Sequence, residues 1–188
     1  NRSACSRIHW LIKTKPKIDK MKLTLEEVSV DQLKNIILKT KPSSLNSLIT
    51  NKVKNGKLLL NLELYFKDDL NLDNFIARGV VKEMEGTIFD NLTFKKTSFN
   101  FFSDNSDLLI KDVTSEMDGI LIKSGNLKIK KGKNISIKSE FLTESNIDKN
   151  NIQKYLTYLK NEKYINKKTN FKASLNHNMD ITFDNTFK

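Results

Sequence analysis

Few residues of this chain have the types and spacing that covalent chemistry requires. A nucleophilic or metal-assisted site needs a thiol or hydroxyl beside a base, or His, Cys, Asp and Glu at ligand spacing. The chain holds one cysteine, Cys5, and two histidines, His9 and His177, which lie far apart in sequence. There is no His-Glu-x-x-His pattern and no cysteine pair. Two acidic doublets, Glu26-Glu27 and Asp68-Asp69, suggest a carboxylate dyad. Neighbours in a strand point to opposite faces, however, and acids in a turn are both solvated, so neither doublet makes one. Gly79, Gly86, Gly119, Gly125 and Gly132 stand singly and form no phosphate-cradling loop; they read as turns, bulges or close backbone approaches. The expectation is a protein with no catalytic residue, no metal site and no cofactor.

The elements around these residues are strands. Leu58, Leu60, Leu62, Leu64 and Phe66 recur at every second position, the spacing that gives a sheet one apolar and one polar face. Further strands are predicted over Phe75–Lys82, Leu92–Phe102, Leu108–Ile110, Gly119–Ile122, Leu127–Ile129 and Ile135–Ile137. Turns are predicted at Asn55-Gly56, Lys67-Asp68-Asp69, Glu85-Gly86, residues 103–107, Ser124-Gly125-Asn126 and Lys131-Gly132-Lys133. Strands this short with turns this close imply antiparallel neighbours in a meander.

Upstream, residues 1–20 read as a basic connector, followed by a weak strand over Lys22–Val30. Asp31 is placed to cap a helix through Leu33, Ile36, Ile37 and Thr40 that stops at Pro42, and a second short helix spans Ser43–Lys52. Downstream, Ile152, Tyr155, Leu156 and Leu159 predict an amphipathic helix over Asn146–Lys160, after which alternation resumes in Phe171, Ala173, Leu175 and in Met179, Ile181, Phe183. The predicted organisation is a strand-and-helix connector over 1–56, an antiparallel meander over 57–145, and a helix with resumed strands over 146–188. The absence of an initiating Met and an alternating run that reaches the last residues read as a section of a longer repetitive protein.

Composition narrows the partners. A net charge of +11 raises nucleic acid or an anionic membrane, but lysine is spread along the whole chain and falls where strands need a solvated face. The densest group is Lys123, Lys128, Lys130, Lys131, Lys133 and Lys138. Lys128 and Lys130 alternate with Leu127 and Ile129 and so belong to the solvent side; acidic lipid headgroups are the sharper reading of that group. A single cysteine leaves the redox compartment open. The longest apolar runs, Leu58-Leu59-Leu60 and Ile120-Leu121-Ile122, are far short of the roughly 20 residues of a spanning helix.

The run Asn91-Leu-Thr-Phe-Lys-Lys-Thr-Ser-Phe-Asn-Phe, then Leu108-Leu-Ile-Lys-Asp-Val, then Gly119-Ile-Leu-Ile-Lys-Ser-Gly-Asn-Leu-Lys-Ile resembles the AsmA-like family of bacterial envelope proteins, particularly its large YhdP-like members. The resemblance covers about Leu58 to Phe141 and rests on a hairpin pattern. It implies an elongated, curved, groove-like antiparallel sheet with a few short peripheral helices. It also implies a periplasmic setting, an inner-membrane anchor outside this stretch, and a part in phospholipid transport to, or biogenesis of, the outer membrane. No catalytic residue carries over. The groove lining expected on this reading is Leu58, Leu60, Leu62, Leu64, Phe66, Phe99, Phe101, Ile120, Ile122, Leu127, Ile129, Ile135 and Ile137, with phospholipid acyl chains as the partner and no nucleic acid. Two rivals stand beside it. A structural or adhesive β-module would close its core, and a nucleic-acid-binding domain would gather its lysines with exposed aromatics on one concave surface.

Overall fold

Period-two alternation, sustained over almost the whole chain, builds one sheet. The computed structural model describes residues 7–13, 17–39, 44–67, 70–88, 92–148, 151, 155 and 170–184. Nine antiparallel strands lie side by side in chain order: β1 (Arg7–Lys13), β2 (Lys17–Ser29), β3 (Val53–Phe66), β4 (Leu72–Ile88), β5 (Leu92–Ser103), β6 (Asp107–Met117), β7 (Ile120–Lys131), β8 (Asn134–Ile147) and β9 (Phe171–Asp184). Helices α1 (Val30–Ile37) and α2 (Ser44–Lys52) connect β2 to β3 and touch only the β2–β4 side of the sheet. Among the described residues β1 and β9 are the two edges, and the sheet is open. This is the mainly β antiparallel architecture that the alternation predicts, with the peripheral helices and the curved, open form expected of it.

The strands are longer than expected, and several predicted turns are strand interior. β4 runs 17 residues through Glu85-Gly86, β7 runs through Ser124-Gly125-Asn126, and β3 starts at Val53 and passes through Asn55-Gly56. At about 3.3 Å per residue β4 is roughly 55 Å long, and eight inter-strand spacings of about 4.8 Å make the sheet roughly 38 Å across. β1 and the start of β2 occupy the stretch read as a connector. A single sheet thus passes through both expected boundaries, the first inside β3 and the second inside β8. Of the predicted helix over Asn146–Lys160, Asn146 and Ile147 instead end β8, Asn151 and Tyr155 are helical, and the others, apart from Asp148, lie outside the described residues.

Bulges explain why the sequence looked interrupted. In β2 the apolar step goes from Leu25 to Val28, which pair with Leu60 and Leu58, so Glu26 and Glu27 together oppose the single Leu59. Both glutamates are exposed, and Glu27 has φ 48°. The doublet therefore does not split between faces, as regular alternation required, because an extra residue on the polar side turns both outward. The same three-residue step recurs from Val81 to Met84, Phe94 to Thr97, Ile110 to Val113 and Ile122 to Gly125. It leaves Lys82-Glu83, Lys95-Lys96, Lys111-Asp112 and Lys123-Ser124 exposed as pairs. Glu83, Lys96 and Asp112 share the positive φ of Glu27. Each bulge shifts the apolar pattern by one residue without turning it to the other face.

Turns and caps follow their local chemistry. Asp118-Gly119, with φ of 40° and 90°, makes the two-residue β6–β7 hairpin. The Asp104 carboxylate accepts from the Ser106 and Asp107 amides at 2.8 and 2.7 Å and shapes the β5–β6 turn. Helix α1 starts two residues earlier than Asp31 would set it: Ser29 is the N-cap, its hydroxyl accepting from Gln32 N while the Gln32 side chain accepts from Ser29 N.

Glycine notches let phenyl rings lie flat against the sheet. A Cβ on Gly79 would stand 2.2 Å from the Leu59 carbonyl oxygen and 2.6 Å from Cζ of Phe101, its cross-strand partner; on Gly125 it would meet the Phe141 ring at 2.2 Å. Ring over glycine on one face and an extra residue on the other are the two devices that curve a sheet. We expect Gly79→Ala to cost about 1–3 kcal/mol in urea unfolding. Gly132→Ala, where the nearest atom is 3.7 Å away, should stay within about 0.5 kcal/mol. Equal effects at the two sites would contradict the close approach.

Candidate functional site

Cross-strand pairing decides which side chains share a face, because directly paired residues point to the same side. One row runs Leu23, Leu62, Ala77, Ser103, Leu108, Ile129, Ile137, Ile181 across eight strands. The next runs Leu25, Leu60, Gly79, Phe101, Ile110, Leu127, Ser139, Met179. A third begins Val28, Leu58, Val81, Phe99. Ile120 and Ile122 pair with Met117 and Ser115 on the same side, and Ile135 lies two residues from Ile137. Twelve of the thirteen expected lining residues are thus brought to one face by register. The thirteenth, Phe66, continues the alternation of Leu64 but sits past an irregularity, opposite Leu72.

Several residues on this face were absent from the expected set. Met21, Leu23, Leu25 and Val28 of β2, Phe75 and Val81 of β4, and Leu175, Met179 and Ile181 of β9 belong to it by pairing. The signal was the same alternation, continued into the outer strands.

The face is only partly covered. Its buried apolar residues, Val28, Val53, Leu92 and Phe94, lie toward one end of the strands, where Val30 of α1 is buried as well. Thr97, Ser115, Thr143 and Ser145 are buried on the same face; the Thr97 and Ser115 hydroxyls are 2.6 Å apart. Tyr155 donates its hydroxyl to the carbonyls of Met117 and Asp118 at 2.9 and 3.2 Å, and burial, then the Asp118 charge, pushes its pKa up to about 12. Toward the other end the rows through Leu62, Phe101, Ile110, Leu127, Ile129 and Ile137 are half-buried. No large side chain among the described residues is fully buried. Full burial of such a side chain is worth about 1.5–3 kcal/mol, so each half-covered one leaves roughly 1 kcal/mol for whatever lies on it.

The opposite face is a lattice of charges. Glu63 accepts from Lys20 and from the Tyr65 hydroxyl, both at 2.6 Å, and pairs with Lys22 at 3.0 Å. Lys57–Glu27, Lys96–Glu116, Lys138–Asp180 and Lys123–Glu144 bridge neighbouring strands. A hollow of about 840 Å³ opens on this polar face, where Lys95, Glu116, Leu121, Glu144 and Ser174 form one cross-strand row. Its floor is ion-paired, and it gathers no chemistry beyond those pairs. Lys128, Lys130 and Lys138 of the basic group are exposed on the same side.

Residues that could react are scattered. His177 lies on the apolar face with Nε2 2.8 Å from the Thr143 hydroxyl. Cys5, Asp68 and Asp69 fall outside the described residues, and His9 lies in β1. No three His, Cys, Asp or Glu residues among those described gather as metal ligands, and no described helix is long and apolar enough to cross a membrane. A scan against protein-family models, a search of curated proteins and a search of solved structures each found no match.

Hydrogen bonds from Lys20, Tyr65 and Lys22 hold the Glu63 carboxyl near 2, down from about 4.5. A depressed carboxyl contributes stability above its unfolded pKa and loses it as pH falls through the folded one. The excess stability of wild type over Glu63→Gln should therefore be full above about pH 4.5 and vanish as pH approaches 2, with solvent screening keeping it small. A difference that grows on acidification, read from denaturant melts across this range, would contradict the arrangement.

Proposed function

We propose that this chain is a section of an elongated lipid-shielding β-trough, of the kind the AsmA-like and YhdP-like resemblance implies, acting in phospholipid transport to, or biogenesis of, the outer membrane. The observation that carries the reading is the one-sided register: apolar rows continuous across eight strands, half-exposed, with no second sheet over them among the described residues. Acyl chains would lie along these rows while headgroups stay in water, and the role is passive. Leu58, Leu60, Leu62, Leu64, Phe66, Phe99, Phe101, Ile120, Ile122, Leu127, Ile129, Ile135 and Ile137 are the proposed lining, extended by the β2 and β9 residues of the same rows. The setting that goes with it is the periplasm, with attachment to the inner membrane through a segment outside this chain.

A trough open along its length suits lipid that slides past, whereas an enclosed pocket would hold one molecule. The lysines support a solvated face better than a nucleic-acid track, because six of them reach carboxylates on a neighbouring strand of the polar side. A closed-core structural module is the competing outcome of the test.

The protein purified from a Gram-negative envelope extract should carry phospholipid measurable by mass spectrometry. Leu62→Asp and Leu127→Asp, each placing a charge on the apolar rows, should lower the bound lipid several-fold. Leu59→Asp, between Leu58 and Leu60 in β3 but on the opposite face, should leave it unchanged, with circular dichroism confirming strand content in all three. Lipid no higher than on an unrelated β-protein, or the same loss in all variants, would overturn the proposal.

A further inference from the structure

Among the described residues β9 is a long edge strand, and its apolar side is exposed. It spans 14 residues, and the one described strand it pairs with is β8. Phe171, Leu175 and Met179 are 43%, 40% and 43% exposed, whereas their counterparts on inner strands are half-buried. A long edge with exposed apolar side chains invites pairing with another strand. Soluble proteins blunt such edges with a bulge, a proline or an inward-pointing charge. β9 has none of these: its pairing with β8 is regular from end to end, it contains no proline, and its apolar side carries no lysine, arginine or acid.

The sequence of β9 is complementary to itself when run antiparallel. Keeping both apolar faces on the same side requires odd-numbered residues to meet odd-numbered ones, since a one-residue slip turns one copy over. Centred on Asn176, the pairing sets Phe171 against Ile181, Ala173 against Met179 and Leu175 against His177 on the apolar side. On the polar side it sets Lys172 against Asp180 twice, Ser174 against Asn178 twice, and Asn176 against its own copy. The two lysine–aspartate pairs are opposite in charge, and Asp180 already lies in an ion pair with Lys138 at 2.7 Å, so the added lysine would complete a carboxylate between two cations. Cross-strand pairs of these kinds each contribute about 0.2–1 kcal/mol.

We propose that two copies of this chain join through β9, antiparallel and centred on Asn176, in an isologous two-fold contact. The symmetry axis stands perpendicular to the sheet, so the apolar rows of one copy run on into those of its partner and the polar lattices meet on the other side. The joined sheet doubles the apolar trough and removes the open β9 edge. This inference stands on the edge geometry and holds whether or not the trough carries lipid.

Cysteine cross-linking reads the register directly. In the full chain with Cys5→Ser, Asn176→Cys places two thiols on residues directly opposite one another, with Cα atoms about 4.5–5.5 Å apart, inside the range a disulfide spans. Asn178→Cys, on the same exposed side, puts its pair four residues apart, roughly 13 Å and out of reach. Mild oxidation should give a covalent dimer with the first variant several-fold faster than with the second. Sedimentation of the cysteine-free chain should show a concentration-dependent dimer that Leu175→Lys abolishes, with circular dichroism unchanged. A monomer at every concentration, equal cross-linking of the two cysteine variants, or a dimer that survives Leu175→Lys would overturn the proposal.

Discussion

The structure depends on keeping apolar side chains on one face while the chain inserts an extra residue, strand after strand, on the other. A strand has a side-chain period of two, and a single uncompensated insertion would send every later apolar residue to solvent. In five strands, β2 and β4 to β7, the sequence answers the insertion with a three-residue step in its apolar pattern, and the inserted pair is charged or polar each time. The consequence is a face that stays apolar across the sheet and a polar face that gains surface. Gly79 and Gly125 take the complementary part on the apolar side, where Phe101 and Phe141 lie in the space a Cβ would fill.

From this constraint follow both the stability of the sheet and its exposure. A single layer with few buried residues cannot rest on a deep core; Val28, Val53, Leu92 and Phe94 are buried toward one end, and much of the remainder is held by strand pairing and by ion pairs across the polar face. The half-covered rows are therefore a property of the architecture. Covering them with hydrocarbon removes apolar surface from water without requiring a second sheet. The proposed function and the β9 contact are two responses to the same open face, one along the rows and one at their end.

Much of this was legible in the residues. Alternation from Leu58 to Phe66 marks β3, the turn formers at residues 103–107 mark the β5–β6 connection, and twelve of the thirteen expected lining residues fall on one face. The strand ends were not legible, because Glu85-Gly86 and Ser124-Gly125-Asn126 carry the chemistry of turns while sitting inside β4 and β7. What distinguishes them is the spacing on either side: Val81 to Met84 and Ile122 to Gly125 step by three and then resume alternation, as a bulge does, whereas a true hairpin reverses the chain. Asp118-Gly119 is the converse case, a hairpin dipeptide whose glycine adjoins the apolar run Ile120-Leu121-Ile122 and so looks like the start of a strand. β1 is hidden in the sequence because Lys13 at its end, and Lys15 and Pro16 just beyond it, mask a short alternating run.

The central claim is that the two faces of this sheet differ in what they touch, with hydrocarbon on one side and water on the other. Adjacent residues Asn61 and Leu62 of β3 point to opposite faces, so an environment-sensitive fluorophore on a cysteine at each position compares the two within one strand. With Cys5 replaced by serine, addition of solubilised phospholipid should shift the emission of the label at position 62 to the blue and leave the label at position 61 unmoved. No shift at either position, or the same shift at both, would contradict the account.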